Sequence, residues 1–177
     1  GVINENRSNH VKSWEEFKLL PGVVPALKRL QKAGFKLVVV SNQAGVSKGI
    51  YSQAELDRLT GNMLKVFHKK GADPLQVYYC THRSEDNCTC RKPKIGLVRK
   101  ALADLRKRNI EVNLRGSFFI GDTIRDVETG HTSGLKTILV FSGKEKPGNR
   151  LAWSPRPDFT AQDLRRAADI ILKTGKK

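Results

Sequence analysis

Apolar residues recur along the chain in two patterns, one with helical spacing and one in short continuous runs. Val23, Leu27 and Leu30 form a stripe at the spacing of one helix face. Gly34 follows that stripe, as glycine commonly does where a helix ends. The β-branched run 35–40 comes next and is typical of a strand buried on both faces. The sequence therefore predicts a helix followed by a buried strand.

The same alternation continues to the end of the chain. Ser52 and Glu55 have the spacing of a capping box, and an apolar stripe that ends at Phe67 predicts a long helix after them. Shorter runs and stripes follow this helix. The predicted strands are 76–79, 117–120 and 136–140, and the predicted helices are 97–107, 124–131 and a last one capped by Thr160–Asp163.

Strands that alternate with helices predict an α/β, Rossmann-like fold with a parallel sheet flanked by helices. The length of 177 residues suits a single domain, 1–177, with one sizeable core. No apolar run approaches the roughly 20 residues of a membrane span, and no signal-peptide pattern opens the sequence.

Polar motifs occur where three of the predicted strands end. Ser41 and Asn42 follow the first of these strands. Cys80 follows the second, and Asp122 follows the third. Because ligands of parallel α/β sheets collect at the carboxyl ends of the strands, we expect these motifs to share one site.

All three cysteines lie in one short loop, 80–93. The spacing C-x-H-x5-C-x-C supplies four ligands suited to tetrahedral zinc. An odd number of clustered cysteines favours metal binding in a reducing compartment over a set of disulfides. The sequence therefore predicts a structural Zn²⁺ site and a cytoplasmic protein. The four predicted ligands are Cys80, His82, Cys88 and Cys90.

Two cations, Arg91 and Lys92, directly follow the last cysteine. Taken alone, Lys92 could be a surface cation in a basic run or a ligand for phosphate. Pro93 stiffens the loop, and a bound metal would fix it further, which favours the phosphate ligand.

Two other motifs supply groups that bind phosphate or a divalent cation. Ser41, Asn42 and Gln43 form either a phosphate cradle or a plain connection from a strand to a turn. Asp122 and Asp126 lie about one helical turn apart, so that the first could bind Mg²⁺ and the second could lie in its outer shell. Asp122 could also be the N-cap of a helix.

The formal net charge of +16 is large for a chain of this size. Strong basicity suggests a polyanionic partner such as nucleic acid. Residues 91–108 hold eight Lys/Arg against one acid, but aromatic residues do not interleave with them as on a strand-binding platform. We therefore expect a basic surface around a small phosphorylated substrate, in a monomer without a nucleic-acid or membrane partner.

In this order, the motifs resemble those of the haloacid dehalogenase (HAD) superfamily of phosphatases over nearly the whole chain. Ser41-Asn42 resembles the second motif and Lys92 the lysine of the third. Asp122 and Asp126 resemble the fourth motif. The resemblance implies a Mg²⁺-dependent phosphoric monoester hydrolase without a large cap domain. Ser41 and Lys92 would stabilise the transferring phosphoryl group, Asp122 would bind Mg²⁺, and the zinc would be structural.

Within the superfamily, segments 41–49 and 80–93 resemble D-glycero-D-manno-heptose-1,7-bisphosphate 7-phosphatases and histidinol-phosphate phosphatases. The continuation of the first segment and the N-terminal Asn4–Arg7 favour the heptose family, which leaves the 1-phosphate as product. That family commonly carries lysine where this chain has Thr123. The resemblance implies substrate binding by Asn6, Arg7, His10, Ser41, Asn42, Gln43, Ala44, Arg91, Lys92 and Thr123.

The first motif of the superfamily, Asp-x-Asp-Gly, ends in a pattern that Gly1–Asn4 matches. The resemblance therefore places a nucleophilic aspartate three residues before Gly1 and a general acid/base aspartate one residue before it, on a strand outside this chain. An intact parent would form a phosphoaspartate, and the 177-residue chain alone would be inactive.

A polynucleotide 3′-phosphatase would suit the net charge of +16. The alternative from another class is a non-catalytic, zinc-stabilised nucleic-acid-binding module.

Overall fold

Parallel strands alternate with α-helices in the computed structural model of the protein, which describes residues 1–74 and 76–174. Short 3-10 turns occur at Leu114–Gly116 and Pro147–Ala152. Within the described part of the chain, no helix is both long and apolar enough to cross a membrane. The strands are β1 (Val38–Asn42), β2 (Gln76–Cys80), β3 (Phe118–Gly121), β4 (Lys136–Val140) and β5 (Phe159–Ala161), and the helices are α1 (Val23–Lys32), α2 (Gln53–Lys69), α3 (Gly96–Lys107), α4 (Ile124–Thr132) and α5 (Leu164–Thr174).

The strands form two parallel sheets, which confirms the predicted α/β class. β1 pairs with β2, and β4 lies between β3 and β5 in the second sheet. Among residues 1–74 and 76–174, one edge of β1 and one edge of β3 pair with no other strand. A groove of about 280 Å³ is lined by both of these strands, by 38–41 from β1 and 118–121 from β3.

β4 shows how the sheets lie between two layers of helices. Ile138 and Val140 pack in the largest core cluster, together with residues of α1 and α5. Leu139 packs instead with Val127 of α4. Because successive side chains of a strand point to opposite faces, α4 lies on the face opposite α1 and α5. All three β4 side chains are almost fully buried, so shortening any of them would cost about 1–5 kcal/mol.

β2 has the same alternation. Tyr78 packs with Leu97 of α3, and its hydroxyl donates to Asp104 at 3.0 Å. The hydroxyl of Tyr79 points the other way and lies 2.8 Å from the hydroxyl of Thr60 on α2. α2 and α3 therefore cover opposite faces of the first sheet.

β1 differs from its prediction in both position and burial. It begins at Val38 instead of residue 35 and includes Ser41 and Asn42, which were predicted to lie in a loop. The reason is the pairing with β2, in which Ser41 lies opposite Tyr79 and Asn42 opposite Cys80. Its residues are half-buried, because one of its edges faces the groove.

The two predicted helix caps form only in part. Ser52 accepts a hydrogen bond from the Glu55 N–H at 3.1 Å, but the Glu55 carboxylate pairs with Arg58. Thr160 belongs to β5, a strand of three residues that was not predicted. α5 is capped by Asp163, whose carboxylate accepts from the backbone N–H three residues later at 2.9 Å.

Candidate active site and metal site

A cavity of about 460 Å³ opens beyond the carboxyl ends of β1 and β3. Its lining includes every residue that the sequence assigned to substrate or magnesium binding. The location is the one that parallel α/β sheets favour for ligands. These residues are Asn6, Arg7, His10, Ser41, Asn42, Gln43, Ala44, Arg91, Lys92, Asp122, Thr123 and Asp126.

The ammonium group of Lys92 lies at the floor of this cavity. It donates to the Asp126 carboxylate at 2.6 Å and to the Val40 carbonyl at 3.2 Å. The Lys92 side chain is 15% exposed and that of Asp126 only 6%, so this ion pair is screened less than a surface pair. The ion pair thus fixes the Lys92 ammonium group where an oxygen of a phosphoryl group in the cavity could contact it.

The backbone of Lys92 is fixed by Asn42 at the end of β1. The Lys92 N–H donates to the Asn42 side-chain oxygen at 3.0 Å, and the Asn42 amide donates to the Lys92 carbonyl at 3.1 Å. Both polar atoms of the Asn42 amide are therefore engaged by the loop that carries Lys92. Asn42 joins β1 to this loop, a role that the sequence did not predict.

Thr123, and not Asp122, is the N-cap of α4. Asp126 caps this end of the helix, because one of its oxygens accepts from the Thr123 N–H at 3.1 Å and from the Thr123 hydroxyl at 2.7 Å. The other Asp126 oxygen accepts from Lys92. With both oxygens engaged, Asp126 is better suited to the outer shell of a cation than to direct ligation.

Asp122 is placed to offer a carboxylate oxygen to the cavity. One of its oxygens accepts from the Lys144 N–H at 3.1 Å, and its carbonyl accepts from Glu145. Gly143 packs against the carboxylate, where any Cβ would overlap it. Within the described residues, the second Asp122 oxygen has no hydrogen-bond donor. A hard oxygen ligand at the edge of this cavity fits Mg²⁺, which binds through few carboxylates and keeps several waters.

The N-terminal segment covers one side of the cavity. Arg7 pairs with Glu16 at 3.4 Å, but both side chains are partly exposed and the pair is weak. The His10 ring lies edge-on to Tyr51, with 6.3 Å between ring centroids. Arg7 and His10 are thus held beside the cavity by contacts within the chain.

The four predicted zinc ligands converge in the loop after β2. The ligand atoms of the four side chains all lie within 4.8 Å of one another. Cys90 Sγ is 3.2 Å from the Cys80 sulfur, 3.5 Å from the Cys88 sulfur and 3.2 Å from His82 Nδ1. Tetrahedral zinc with Zn–S bonds of about 2.3 Å holds its sulfur ligands about 3.8 Å apart, so the donors need only small shifts.

The chemistry of the donor set also fits a metal. Burial raises the pKa of the Cys80 thiol above its usual value, and the neighbouring Cys90 thiol adds to the increase. Burial opposes ionisation of Cys88 as well, but N–H groups of Arg91 and Cys90 outweigh it and hold the Cys88 pKa below its usual value. A cation that displaces the Cys80 proton would stabilise the buried thiolate.

The metal loop and the cavity share structural elements. Cys80 is the last residue of β2 and lies opposite Asn42 of β1. Arg91 lines the cavity and donates to the His82 carbonyl at 3.2 Å. The Cys/His group thus holds the segment that presents Arg91 and Lys92.

The sequence profile of a family described as polynucleotide kinase 3 phosphatase matches residues 2–173. The chain belongs to this family. Together with its fold and its motifs, the match places the chain among the HAD phosphatases, which are phosphoric monoester hydrolases.

Curated relatives of this HAD phosphatase are named as heptose-1,7-bisphosphate 7-phosphatases. A protein of Pseudomonas aeruginosa is 31% identical over 98% of this chain and 94% of its own length, and is called D-glycero-β-D-manno-heptose-1,7-bisphosphate 7-phosphatase. A Chlorobaculum tepidum protein is 34% identical over 94% of this chain and 87% of its own, and is called D-glycero-D-manno-heptose-1,7-bisphosphate 7-phosphatase.

Solved structures agree with this assignment. The D,D-heptose 1,7-bisphosphate phosphatase of Bordetella bronchiseptica, in complex with magnesium and phosphate, superposes with a TM-score of 0.85. It is 30% identical, and the match covers 98% of this chain and 94% of that one. A HAD-like phosphatase of Mesorhizobium loti, with a TM-score of 0.76 at 23% identity over 99% of this chain and 82% of that one, supports the fold alone.

Three cations of the HAD phosphatase cavity were missed from the sequence, namely Lys48, Arg125 and Lys144. All three are exposed, and the Arg125 side chain forms no ion pair or hydrogen bond within the described residues. Arg125 lies between the two aspartates of the fourth motif, a position that could have identified it. Lys48 and Lys144 lie in loops whose approach to the cavity depends on the fold.

Proposed function

We propose that the intact parent of this chain is a Mg²⁺-dependent phosphatase that hydrolyses D-glycero-D-manno-heptose 1,7-bisphosphate at the 7-phosphate and leaves the 1-phosphate. The observation that carries this proposal is the single cavity in which Ser41, the Lys92–Asp126 pair and Asp122 meet. The names of the relatives that match nearly the whole chain support the sugar phosphate as substrate.

Lys92 and Ser41 bind the oxygens of the transferring phosphoryl group. The Lys92 ammonium is already oriented by Asp126 and Val40, so it needs little reorganisation when negative charge develops. Asn42 supports it by holding the Lys92 backbone. Asp122 is the residue that would hold Mg²⁺, which supplies charge neutralisation on the phosphoryl oxygens when bound.

The nucleophile is an aspartate on a strand that occupies the groove between β1 and β3. The two unpaired parallel edges and the apolar lining of the groove support this placement. The carboxylate forms a bond to phosphorus while the ester P–O bond breaks, and the second aspartate protonates the departing sugar oxygen. Water then hydrolyses the acyl phosphate, which releases inorganic phosphate and restores the carboxylate.

Residues around the cavity rim recognise the rest of the substrate. Arg91 suits an anionic or hydroxylated group because its guanidinium offers several fixed donors. Asn6, Arg7 and His10 approach from the N-terminal segment. Thr123 is uncharged and its hydroxyl is engaged with Asp126, so we expect Arg125 to supply the cationic contact near Asp122.

The Cys/His group binds a structural zinc. Four protein ligands complete a tetrahedral shell and leave no position for water or substrate. Three free thiols also support a reducing compartment such as the cytoplasm. The monomeric state stays a prediction.

Two other phosphatase activities have support of their own. The net charge of +16 and the description of the matching family favour a polynucleotide 3′-phosphatase. The zinc loop resembles that of histidinol-phosphate phosphatases. All three activities would use the same phosphate-binding centre and would differ only at the rim.

The test compares kcat/KM of the intact parent for three substrates, namely heptose 1,7-bisphosphate, histidinol phosphate and a 3′-phosphorylated oligonucleotide. We expect the heptose bisphosphate to be preferred, and we expect Asp122→Asn to reduce turnover of every substrate by at least about 100-fold. Preference for either other substrate would replace the proposal with that activity. Salt-dependent DNA binding without hydrolysis of any of the three would favour the nucleic-acid-binding module.

A further inference from the structure

Three side chains form a line of hydrogen bonds behind the phosphate cavity. The Tyr51 hydroxyl donates to the side-chain oxygen of Gln43 at 2.6 Å. The Gln43 amide nitrogen in turn donates to the Ser41 hydroxyl at 3.2 Å. Ser41 and Gln43 line the cavity, whereas Tyr51 is 8% exposed and lies outside its lining.

The direction of these bonds determines what Ser41 can do. A hydroxyl has one proton to donate and can accept through its lone pairs. Because Ser41 accepts from Gln43, its own proton remains available for an oxygen in the cavity. If the Gln43 amide were reversed, its carbonyl oxygen would accept a hydrogen bond from the Ser41 hydroxyl. The Ser41 oxygen would then present only lone pairs to a phosphate, which is itself an acceptor.

Tyr51 favours the amide orientation that leaves the Ser41 proton available, because within the described residues its buried hydroxyl is bonded to Gln43 alone, and a reversed amide would leave the phenol proton without an acceptor. A phenol that donates to Gln43 places the carbonyl oxygen toward itself and the amide nitrogen toward Ser41. Burial raises the pKa of Tyr51, and Tyr79 adds to the increase, so Tyr51 keeps its proton at neutral pH.

The local backbone brings Tyr51 to this position. Gly45 lies against the Tyr51 ring, where a Cβ would overlap the ring atoms. The Gln43 N–H donates to the Cys80 carbonyl at 2.7 Å, which fixes the backbone of Gln43 at the end of the sheet. The backbone thus sets where Gln43 lies, and Tyr51 sets which way its amide faces.

We infer that Tyr51 is a positioning residue which, through Gln43, directs the Ser41 hydroxyl proton toward the transferring phosphoryl group. The inference rests on the proposed phosphatase function. It assigns a role to a side chain that does not contact the substrate itself.

The test is a double-mutant cycle in the intact parent with Tyr51→Phe and Ser41→Ala. We expect Tyr51→Phe to lower kcat by roughly 3- to 10-fold, as the loss of one oriented hydrogen bond would, with little change in KM. In the Ser41→Ala background the same substitution should have no further effect on kcat, because the proton it directs is absent. Tyr78→Phe is the matched control, since it removes a tyrosine hydroxyl bonded to Asp104 away from the cavity.

A second variant keeps the test independent of how well Tyr51→Phe folds. The carboxylate of the Gln43→Glu variant can only accept hydrogen bonds from Tyr51 and Ser41. It should therefore take the hydrogen bond that the Ser41 hydroxyl would otherwise donate to phosphate, and lower kcat about as much as Ser41→Ala does. A normal kcat in Tyr51→Phe, or effects of Tyr51→Phe and Ser41→Ala that multiply, would overturn the inference while leaving the phosphatase intact. An intact parent without turnover of any phosphate ester would overturn the proposed function and this inference with it.

Discussion

Lys92 is held at two points, and each is set by a different part of the chain. Its ammonium group is paired with Asp126 in a nearly buried environment. Its backbone is bonded on both sides to the Asn42 amide. The position of the charge therefore depends on β1 as much as on the loop that carries it.

Asn42→Ala removes both of the bonds to the Lys92 backbone. We expect kcat of the intact parent to fall by about 10- to 100-fold, because small displacements of a catalytic group have large effects on rate. We also expect the free energy of unfolding to fall by about 1–3 kcal/mol. Asn62→Ala on α2 is the control, since the Asn62 side chain makes no hydrogen bond within the described residues. Equal kcat values for the two variants would contradict this role of Asn42.

A second residue-scale contact links β4 to the segment before β5. The Asp158 carboxylate accepts from the backbone N–H and hydroxyl of Thr137, at 2.7 and 2.8 Å, and lies 3.2 Å from His131. Burial alone would raise the pKa of Asp158, but the hydrogen bonds from Thr137 and His131 together hold it below its usual value. A depressed carboxyl pKa stabilises the fold above the ordinary aspartate pKa, and that stabilisation is lost as the pH falls through the folded-state pKa.

Asp158→Ala should lower the free energy of unfolding by about 1–3 kcal/mol at neutral pH, because it leaves the buried Thr137 N–H without its acceptor. In denaturant titrations, the part of this free-energy difference that comes from the depressed Asp158 pKa should diminish below about pH 4, as the wild-type carboxylate protonates. Glu128→Gln, on an exposed part of α4, serves as the control. A difference between wild type and Asp158→Ala that grows as the pH falls would contradict the linkage.

At the scale of elements, α3, α4 and the strands β2, β3 and β4 were predicted to within one residue, whereas β1 was misplaced and β5 was not predicted. α1 and α2 have apolar stripes that repeat at 3.6-residue spacing, so the local sequence suffices to place them. β5 has only three residues, too few for a period to show. Ser41 and Asn42 belong to β1 because β2 pairs with them, and no local pattern records that pairing.

The site could be predicted to a similar degree. The motifs of the site follow the ends of predicted strands, so the sequence was sufficient to predict that Ser41, Lys92 and Asp122 lie in one cavity. The capping role of Thr123 depends on how α4 begins. The bonds from Asn42 to Lys92 join residues fifty positions apart, which only the folded chain brings together.

The loop after β2 should depend on metal for its stability. We expect the purified protein to contain about one zinc per chain, since four clustered donors complete its shell. Cys88→Ser should reduce this content and lower the free energy of unfolding by several kcal/mol, because metal binding contributes directly to folding. Metal analysis and thermal unfolding with and without a chelator measure both effects. A zinc-free preparation with an unchanged unfolding temperature would contradict the structural role.

At the scale of the whole molecule, the cavity and the adjoining groove between β1 and β3 hold different parts of the proposed catalytic machinery. The residues proposed to bind phosphate line the cavity, whereas the reacting carboxylate is proposed to lie on a strand in the groove. We therefore expect the 177-residue chain to release no phosphate from any of the three test esters in the presence of Mg²⁺. Colorimetric phosphate assays at high enzyme concentration measure this, with the intact parent as the positive control. Measurable Mg²⁺-dependent turnover by the chain would show that the nucleophile lies within it.

The proposed function requires the intact parent to remove one particular phosphate from a sugar bisphosphate. Phosphorus NMR of heptose 1,7-bisphosphate during the reaction tests it most directly, because the primary and anomeric phosphates give separate signals. We predict that the signal of the 7-phosphate disappears, that inorganic phosphate appears in equal amount, and that the anomeric phosphate persists. Loss of the anomeric phosphate, or an unchanged spectrum under conditions in which the parent dephosphorylates an oligonucleotide, would contradict the proposed function.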